Sequence, residues 1–202
     1  MGLRRFLVDA PSQVAVERCE LCATPVPGEH PHLVQVTERR LLCVCGPCGF
    51  LFDNPGAGGG DYARVPDRYL TDPDTDVADV DWDALRIPVG MAFFLHNSVR
   101  GCVIACYPSP AGATESELSL DAWSGGVGAS RLAAQLRPDV EALLVRRDPA
   151  ECVLVPIDAC YRLVGIVRRD WRGFDGGSEA RASIDGFFAE LRDRARPLES
   201  RV

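Results

Sequence analysis

Two Cys-x-x-Cys pairs, Cys19-Glu-Leu-Cys22 and Cys45-Gly-Pro-Cys48, are the residues whose type and spacing carry chemistry in this chain. Each pair lets two thiolates leave one tight turn and meet at one ion. Two such turns complete a tetrahedron, the geometry of closed structural zinc sites. Cys19, Cys22, Cys45 and Cys48 are therefore expected to hold a structural zinc. Tetrahedral sulfur suits iron equally, so a rubredoxin-like iron centre on the same four residues stays open. A dithiol redox site is the rival, because Cys-Gly-Pro-Cys after an apolar run matches the thioredoxin tetrapeptide. In that motif the cysteines open a long helix whose N-terminus lowers the thiol pKa. Here Asp53-Asn-Pro-Gly56 follows closely and leaves no room for one.

The remaining candidates read as structural. Cys43, two residues before Cys45, is expected on the same side of a strand as a small packed hydrophobe, with a substitute ligand as the alternative. His30 and His32 can ligate, but four cysteines already saturate one ion, so turn or surface roles are expected. Cys102, Cys106, Cys152 and Cys160 lie in apolar patterns without paired-ligand spacing, which suits buried free thiols. His96 has no nucleophile that the sequence pairs with it. The stretch Ser124–Ser130 is glycine-rich but lacks the Lys-Ser/Thr of a phosphate loop. No catalytic constellation emerges, and a non-enzymatic protein is expected.

The elements that must position the cysteines follow from periodicity. Residues 32–37 and 41–45 alternate or run apolar around Glu38-Arg39-Arg40, which reads as a hairpin carrying the second knuckle. A glycine-rich break at 53–60 ends a zinc-knuckle module placed at 1–60. Residues 61–83, rich in aspartate and interrupted by Pro66 and Pro73, are expected as an acidic linker. A calcium loop on Asp72, Asp74, Asp76 and Asp83 is disfavoured, because Val77 stands where the loop needs glycine. From 84 to 202 a second domain is expected. It has strands at 91–95, 102–107, 140–145 and 152–157. The first residues of 140–145 also suit a helix. Two helices then follow, with Asp158 and Ser178 as candidate N-caps and Pro197 as the stop. Strands in sequence followed by helices in sequence give an α+β class: a small zinc-ribbon-like module, then an antiparallel sheet with two C-terminal helices.

Composition narrows the function classes. The net charge of −7 argues against a general nucleic-acid binder, although a zinc-ribbon regulator of that kind stays as an alternative. The longest apolar run, 89–95, is far short of a membrane span, and the first ten residues do not read as a signal peptide. Nine cysteines, clustered in pairs, suit metal in a reducing compartment better than disulfides. A cytoplasmic protein is expected.

The two knuckles, the run Leu41-Leu-Cys-Val-Cys45, and the segments 65–70, 87–94, 107–118 and 171–177 together resemble an uncharacterised bacterial family encoded beside uptake nickel–iron hydrogenase genes. The resemblance runs through nearly the whole chain. It implies an accessory or assembly role in a hydrogenase system, with hydrogenase subunits or maturation factors as protein partners. It transfers no catalytic residue. The exposed hairpin of the module and the 107–118 segment are the surfaces expected to meet such a partner.

Overall fold

The computed structural model describes residues 16–54, 56–75, 77, 80, 82–83, 87, 89–116, 126–173 and 176–199. Among them the chain is α+β, and most of its strands pair antiparallel. A three-stranded sheet is built from β1 (His32–Gln35), β2 (Arg40–Cys43) and β3 (Tyr62–Arg64), in the order β2-β1-β3. Between β2 and β3 lies α1 (Gly46–Phe50), a single helical turn.

The larger sheet contains β4 (Leu70–Thr71), β5 (Met91–Asn97), β6 (Cys102–Ser109), β7 (Gly112–Ser116), β8 (Glu141–Arg146), β9 (Glu151–Pro156) and β10 (Arg196–Pro197). Its order is β10-β4-β9-β8-β5-β6-β7, and only the edge pair β10-β4 is parallel. Two helices complete the fold, α2 (Ile157–Asp170) and α3 (Gly177–Arg194). No described helix is long and apolar enough to cross a membrane.

Strand periodicity divides the large sheet into two buried faces. Phe93, Leu95, Ala142, Leu144, Val153 and Val155 join the core beneath α2 and α3, where Leu163, Val167, Phe188 and Leu191 meet them. Their neighbours Ala92, Phe94, Leu143, Val145 and Leu154 point the other way, against Trp82, Ile87, Val127 and Leu132. A strand covered on both faces reads as a continuous apolar run rather than an alternating one. The helices bury the stripe that their 3.6-residue period lays out, including Ile184, Phe187, Phe188 and Leu191 on α3.

Three expectations need correction. The acidic stretch does not behave as a linker over its described part. It supplies β3 to the small sheet and β4 to the large one. Arg64, Asp67, Arg68, Asp72 and Asp74 are also held in ion pairs. Arg68 reaches the fully buried Glu141 through two bonds of 2.8 and 2.6 Å, and buried Asp72 lies 3.3 Å from Arg131. Counting aspartates gave the segment its linker reading, and counting cannot detect that arginines elsewhere in the chain neutralise some of them. Asp76, Asp79 and Asp81 lie outside the described residues.

Neither helix uses its expected side-chain cap. Pro156 precedes α2, and Asp158 falls inside the first turn. Gly176 precedes α3 with φ +82°, and the helix opens at Gly177, before Ser178. A proline needs no N–H at a helix start, and a left-handed glycine reverses the chain, so the entry geometry replaces the cap in both cases.

The module is not isolated from the rest. Val34 and Val65 belong to the same core cluster as the helix-facing side of the large sheet. Arg39, at the tip of the β1-β2 turn, pairs with Glu115 on β7. The two surfaces expected to meet a partner therefore touch each other at that point.

Candidate metal centre

The first knuckle is a closed turn. The N–H of Ala23 donates to the Cys19 carbonyl at 2.7 Å, and the N–H of Cys19 donates to the Thr24 carbonyl at 2.8 Å. Ala23 takes φ +60° to complete it. The second knuckle starts where β2 ends. Cys45 is extended (φ −75°, ψ 161°), Pro47 sits in the first turn of α1, and the Gly49 N–H donates to the Cys45 carbonyl at 2.9 Å. Gly49 is buried, and a Cβ there would stand 3.2 Å from Pro31. A side chain there would press on Pro31.

The two turns are tied together through Glu20. Its N–H donates to the Cys43 carbonyl at 2.8 Å, and its Oε1 accepts the Cys43 N–H at 2.9 Å. This places the first knuckle against the end of β2 in a fixed register.

The sulfurs of Cys19, Cys22, Cys45 and Cys48 all lie within 4.8 Å of one another, with Cys22 and Cys45 3.6 Å apart. A tetrahedral ion with zinc–sulfur bonds of about 2.3 Å requires sulfur–sulfur edges of about 3.8 Å. A disulfide requires about 2.05 Å, and all four cysteines are free. The donor set and its spacing fit a metal ion, so this cluster can hold one.

The electrostatics explain why a cation is needed. Burial opposes ionisation of Cys19, but backbone N–H groups of Cys45, Cys22 and Leu21 outweigh it and pull this thiol down to about 6. Thr24 lowers Cys22. Cys48 goes the other way, up to about 12, because the Cys45 and Cys22 sulfurs beside it accept hydrogen bonds from its S–H and hold the proton on it. Four thiols this close cannot all ionise by themselves. A divalent ion removes that conflict, since metal binding releases the ligands' protons.

Cys43 departs from its expected place. It lies two residues before Cys45, but its sulfur does not join the four. It stands 3.3 Å from Glu17 Oε1, and burial with the Glu17 and Glu20 carboxylates pushes the thiol up to about 12. The change of direction follows from the chain leaving the strand at Val44, so alternation no longer sets the side. His30, His32 and Cys43 instead form a second group of potential ligands, again within 4.8 Å of one another. Sequence spacing missed this group because His32 meets Cys43 across the strand pair rather than along the chain. The motif His30-Pro-His32 was its only sequence trace.

The other thiols lie as expected. Cys106, Cys152 and Cys160 are buried in the core, and burial raises the pKa of each. Cys102 is half-buried at the start of β6.

No curated protein and no solved structure matches this chain significantly. The family comparison does identify a relation, over residues 18–195, which contain both knuckles, both long helices and every strand of the two sheets except β10. The chain belongs to a family of unknown function, DUF5947.

Proposed function

We propose that this protein is a non-enzymatic accessory protein in which zinc, held by Cys19, Cys22, Cys45 and Cys48, fixes a surface for a protein partner. The observation that carries the reading is the closed character of the cluster. Four thiolates fill a tetrahedron and leave no position for substrate or water, which is the mark of a structural ion. Such a site acts through the surface it shapes.

That surface has the character of a contact face. The knuckles carry Leu21 at 41% exposure and, just after the second, Phe50 at 62% and Leu51 at 68%. Large exposed apolar side chains on a rigid turn are the kind that anchor protein interfaces. The resemblance to proteins encoded beside uptake nickel–iron hydrogenase genes supports hydrogenase subunits or maturation factors as the partner. The residues give this reading no catalytic group, and its localisation is cytoplasmic.

Elemental analysis with a visible spectrum tests the metal. One colourless zinc per chain is expected, and a coloured, iron-loaded protein would replace this reading with an electron-transfer one. Affinity purification from the native host tests the partner. Hydrogenase subunits or maturation factors are expected to co-purify with the wild type and to be lost from a Leu21→Asp/Phe50→Asp variant. Equal recovery from both, or hydrogenase activity unaffected by deletion of the protein, would overturn the accessory role.

A further inference from the structure

We infer that His30, His32 and Cys43 form a second metal site, distinct from the four-cysteine cluster and built with an open position. The inference does not rest on what the four cysteines bind. It starts from the strand register. His32 stands opposite Cys43 in the β1-β2 pair. The Pro31 carbonyl between the two histidines accepts the Val44 N–H at 3.0 Å, which pins His30 and His32 against the end of β2. The ring centroids are 4.7 Å apart, and one ring nitrogen of each histidine lies within 4.8 Å of the Cys43 sulfur. Backbone pairing makes these donors converge.

Hydrogen bonds then fix which nitrogens remain. His30 Nδ1 lies 2.8 Å from the Pro27 carbonyl, which can only accept, so Nδ1 carries the proton. His32 Nδ1 lies 2.9 Å from Asp158 Oδ2 on α2, which holds its proton in the same way. With Nδ1 engaged on each ring, Nε2 is the nitrogen left to face a ligand. A carbonyl or carboxylate behind the ring is the usual outer partner of a metal-ligating histidine, and it sets the tautomer and raises the basicity of the ligand. His30 Nε2 is buried with no hydrogen-bond partner. A buried polar atom left without a partner is destabilising, and a bound ion removes that penalty.

Two imidazoles and one cysteine sulfur make a borderline-soft set suited to a divalent late transition ion such as Zn²⁺ or Co²⁺. Three protein ligands leave one position of a tetrahedron, the pattern of reactive rather than structural zinc. Glu17 Oε1 lies 3.3 Å from the Cys43 sulfur, and among the described residues no fourth potential ligand joins the group. Glu17, His30, His32 and Asp158 also line a cleft of about 1270 Å³ that runs from the small sheet toward α2. The cleft therefore opens onto the histidine side of the site. Because Asp158 belongs to α2, occupancy also ties the small sheet to the helix layer.

The test is a Co²⁺ titration of the full chain after chelation, read by elemental analysis and by the sulfur-to-cobalt absorption. The wild type is expected to bind one equivalent more than His30→Gln/His32→Gln. The difference is read whatever the four cysteines do, so failure of that cluster and failure of this site give separate results. Circular dichroism of the variant establishes that it is folded. Asp158→Asn keeps all three ligands and is expected to weaken the extra equivalent 10–100-fold. Equal metal content in the wild type and the folded histidine variant would overturn the site. Should that variant not fold, unchanged Co²⁺ affinity in Asp158→Asn would overturn it instead.

Discussion

The small sheet and the large sheet are held together by different means. The core of the small one comprises Cys19, Val26, Leu33, Leu42 and Val44, with Cys45, Cys48, Phe52 and Tyr62 packed at its edge. Three of those nine are proposed metal ligands. The large sheet is buried on both faces by aliphatic and aromatic side chains drawn from most of the chain. A few valines and leucines cannot order a module of this size, because its conformational entropy exceeds what so little buried apolar surface returns. The difference teaches that the cysteines serve as core in one region and as chemically silent filler in the other. Cys19 is pulled toward the thiolate, while burial holds Cys160 as a thiol.

The largest effect is expected from breaking the metal cluster. Cys45→Ser removes one ligand from the centre, and structural zinc sites contribute on the order of 10 kcal/mol of apparent binding energy to folding. Hydrogen exchange is expected to rise through residues 19–64 while the amides of β8 and β9 stay protected, with loss of the four-cysteine ion and of any ion held by His30, His32 and Cys43 in the same region. Simultaneous loss of protection in both regions would show that the two are one cooperative unit.

The complementary break is Phe188→Ala. This ring is fully buried between α3 and the sheet, edge-on to Phe187 at 5.5 Å. Removing it costs about 3–5 kcal/mol in transfer and cavity terms. Denaturant unfolding is expected to show the whole loss in the large-sheet transition, with the metal content of the folded protein unchanged. Metal loss in the folded variant would mean that the small sheet depends on the large core for more than attachment.

Attachment itself is tested at Arg68. It lies on the segment between β3 and β4 and makes a two-pronged bond to Glu141 on β8. Glu141 also accepts the Arg137 N–H at 2.9 Å. Arg68→Ala leaves a buried carboxylate without its cation, at a cost of about 3 kcal/mol. Arg68→Ala/Glu141→Gln is expected to recover part of that loss in thermal unfolding. No recovery would mean that the arginine acts through packing rather than charge.

Sequence reading was strong where the physics is periodic. The hairpins at β5-β6 and β8-β9 and both long helices follow from apolar spacing, which backbone geometry imposes locally. The helical alternative for 140–145 fails because both faces of β8 are buried, Ala142 and Leu144 on one side and Leu143 and Val145 on the other. The four-cysteine cluster was legible for the same reason, since Cys-x-x-Cys is a local geometry. The rest depended on pairing between distant residues. Arg68 meets Glu141, His32 meets Cys43 and Asp158, and Arg39 meets Glu115. A charge count or spacing rule sees one partner of each pair at a time. The acidic stretch was misjudged on those grounds, and the histidine–cysteine group was overlooked.

A smaller effect belongs to the turn between the long helices. Gly176 holds φ +82°, and a Cβ there would lie 2.9 Å from the Trp171 ring. Its carbonyl accepts the Arg172 N–H at 3.1 Å, which closes the turn. Gly176→Ala combines left-handed strain with a clash and is expected to cost about 1–3 kcal/mol. The loss belongs to the large-sheet transition alone, and Trp171 fluorescence should report a displaced ring. An unchanged melting temperature would show that the indole moves aside freely.

The smallest effect separates the two regions by acid. Asp170, at the end of α2, is gripped by Arg169 through bonds of 2.6 and 2.8 Å, with a further bond from Ser183 on α3. Arg169 first, then Ser183, brings this carboxyl down to about 2. A folded-state pKa below the unfolded value means that the carboxylate stabilises the fold above the ordinary range near pH 3.9. That contribution fades as pH falls toward 2, because the unfolded chain takes up the proton first. Asp170→Asn has no proton to gain. Its melting temperature is expected to start slightly below the wild type at pH 6 and to converge with it between pH 4 and pH 2. Both readings are taken on the large-sheet transition, where Asp170 joins α2 to α3. A constant gap between the two proteins across that window would show that Asp170 acts through its hydrogen bonds to Arg169 and Ser183 without any contribution from its charge.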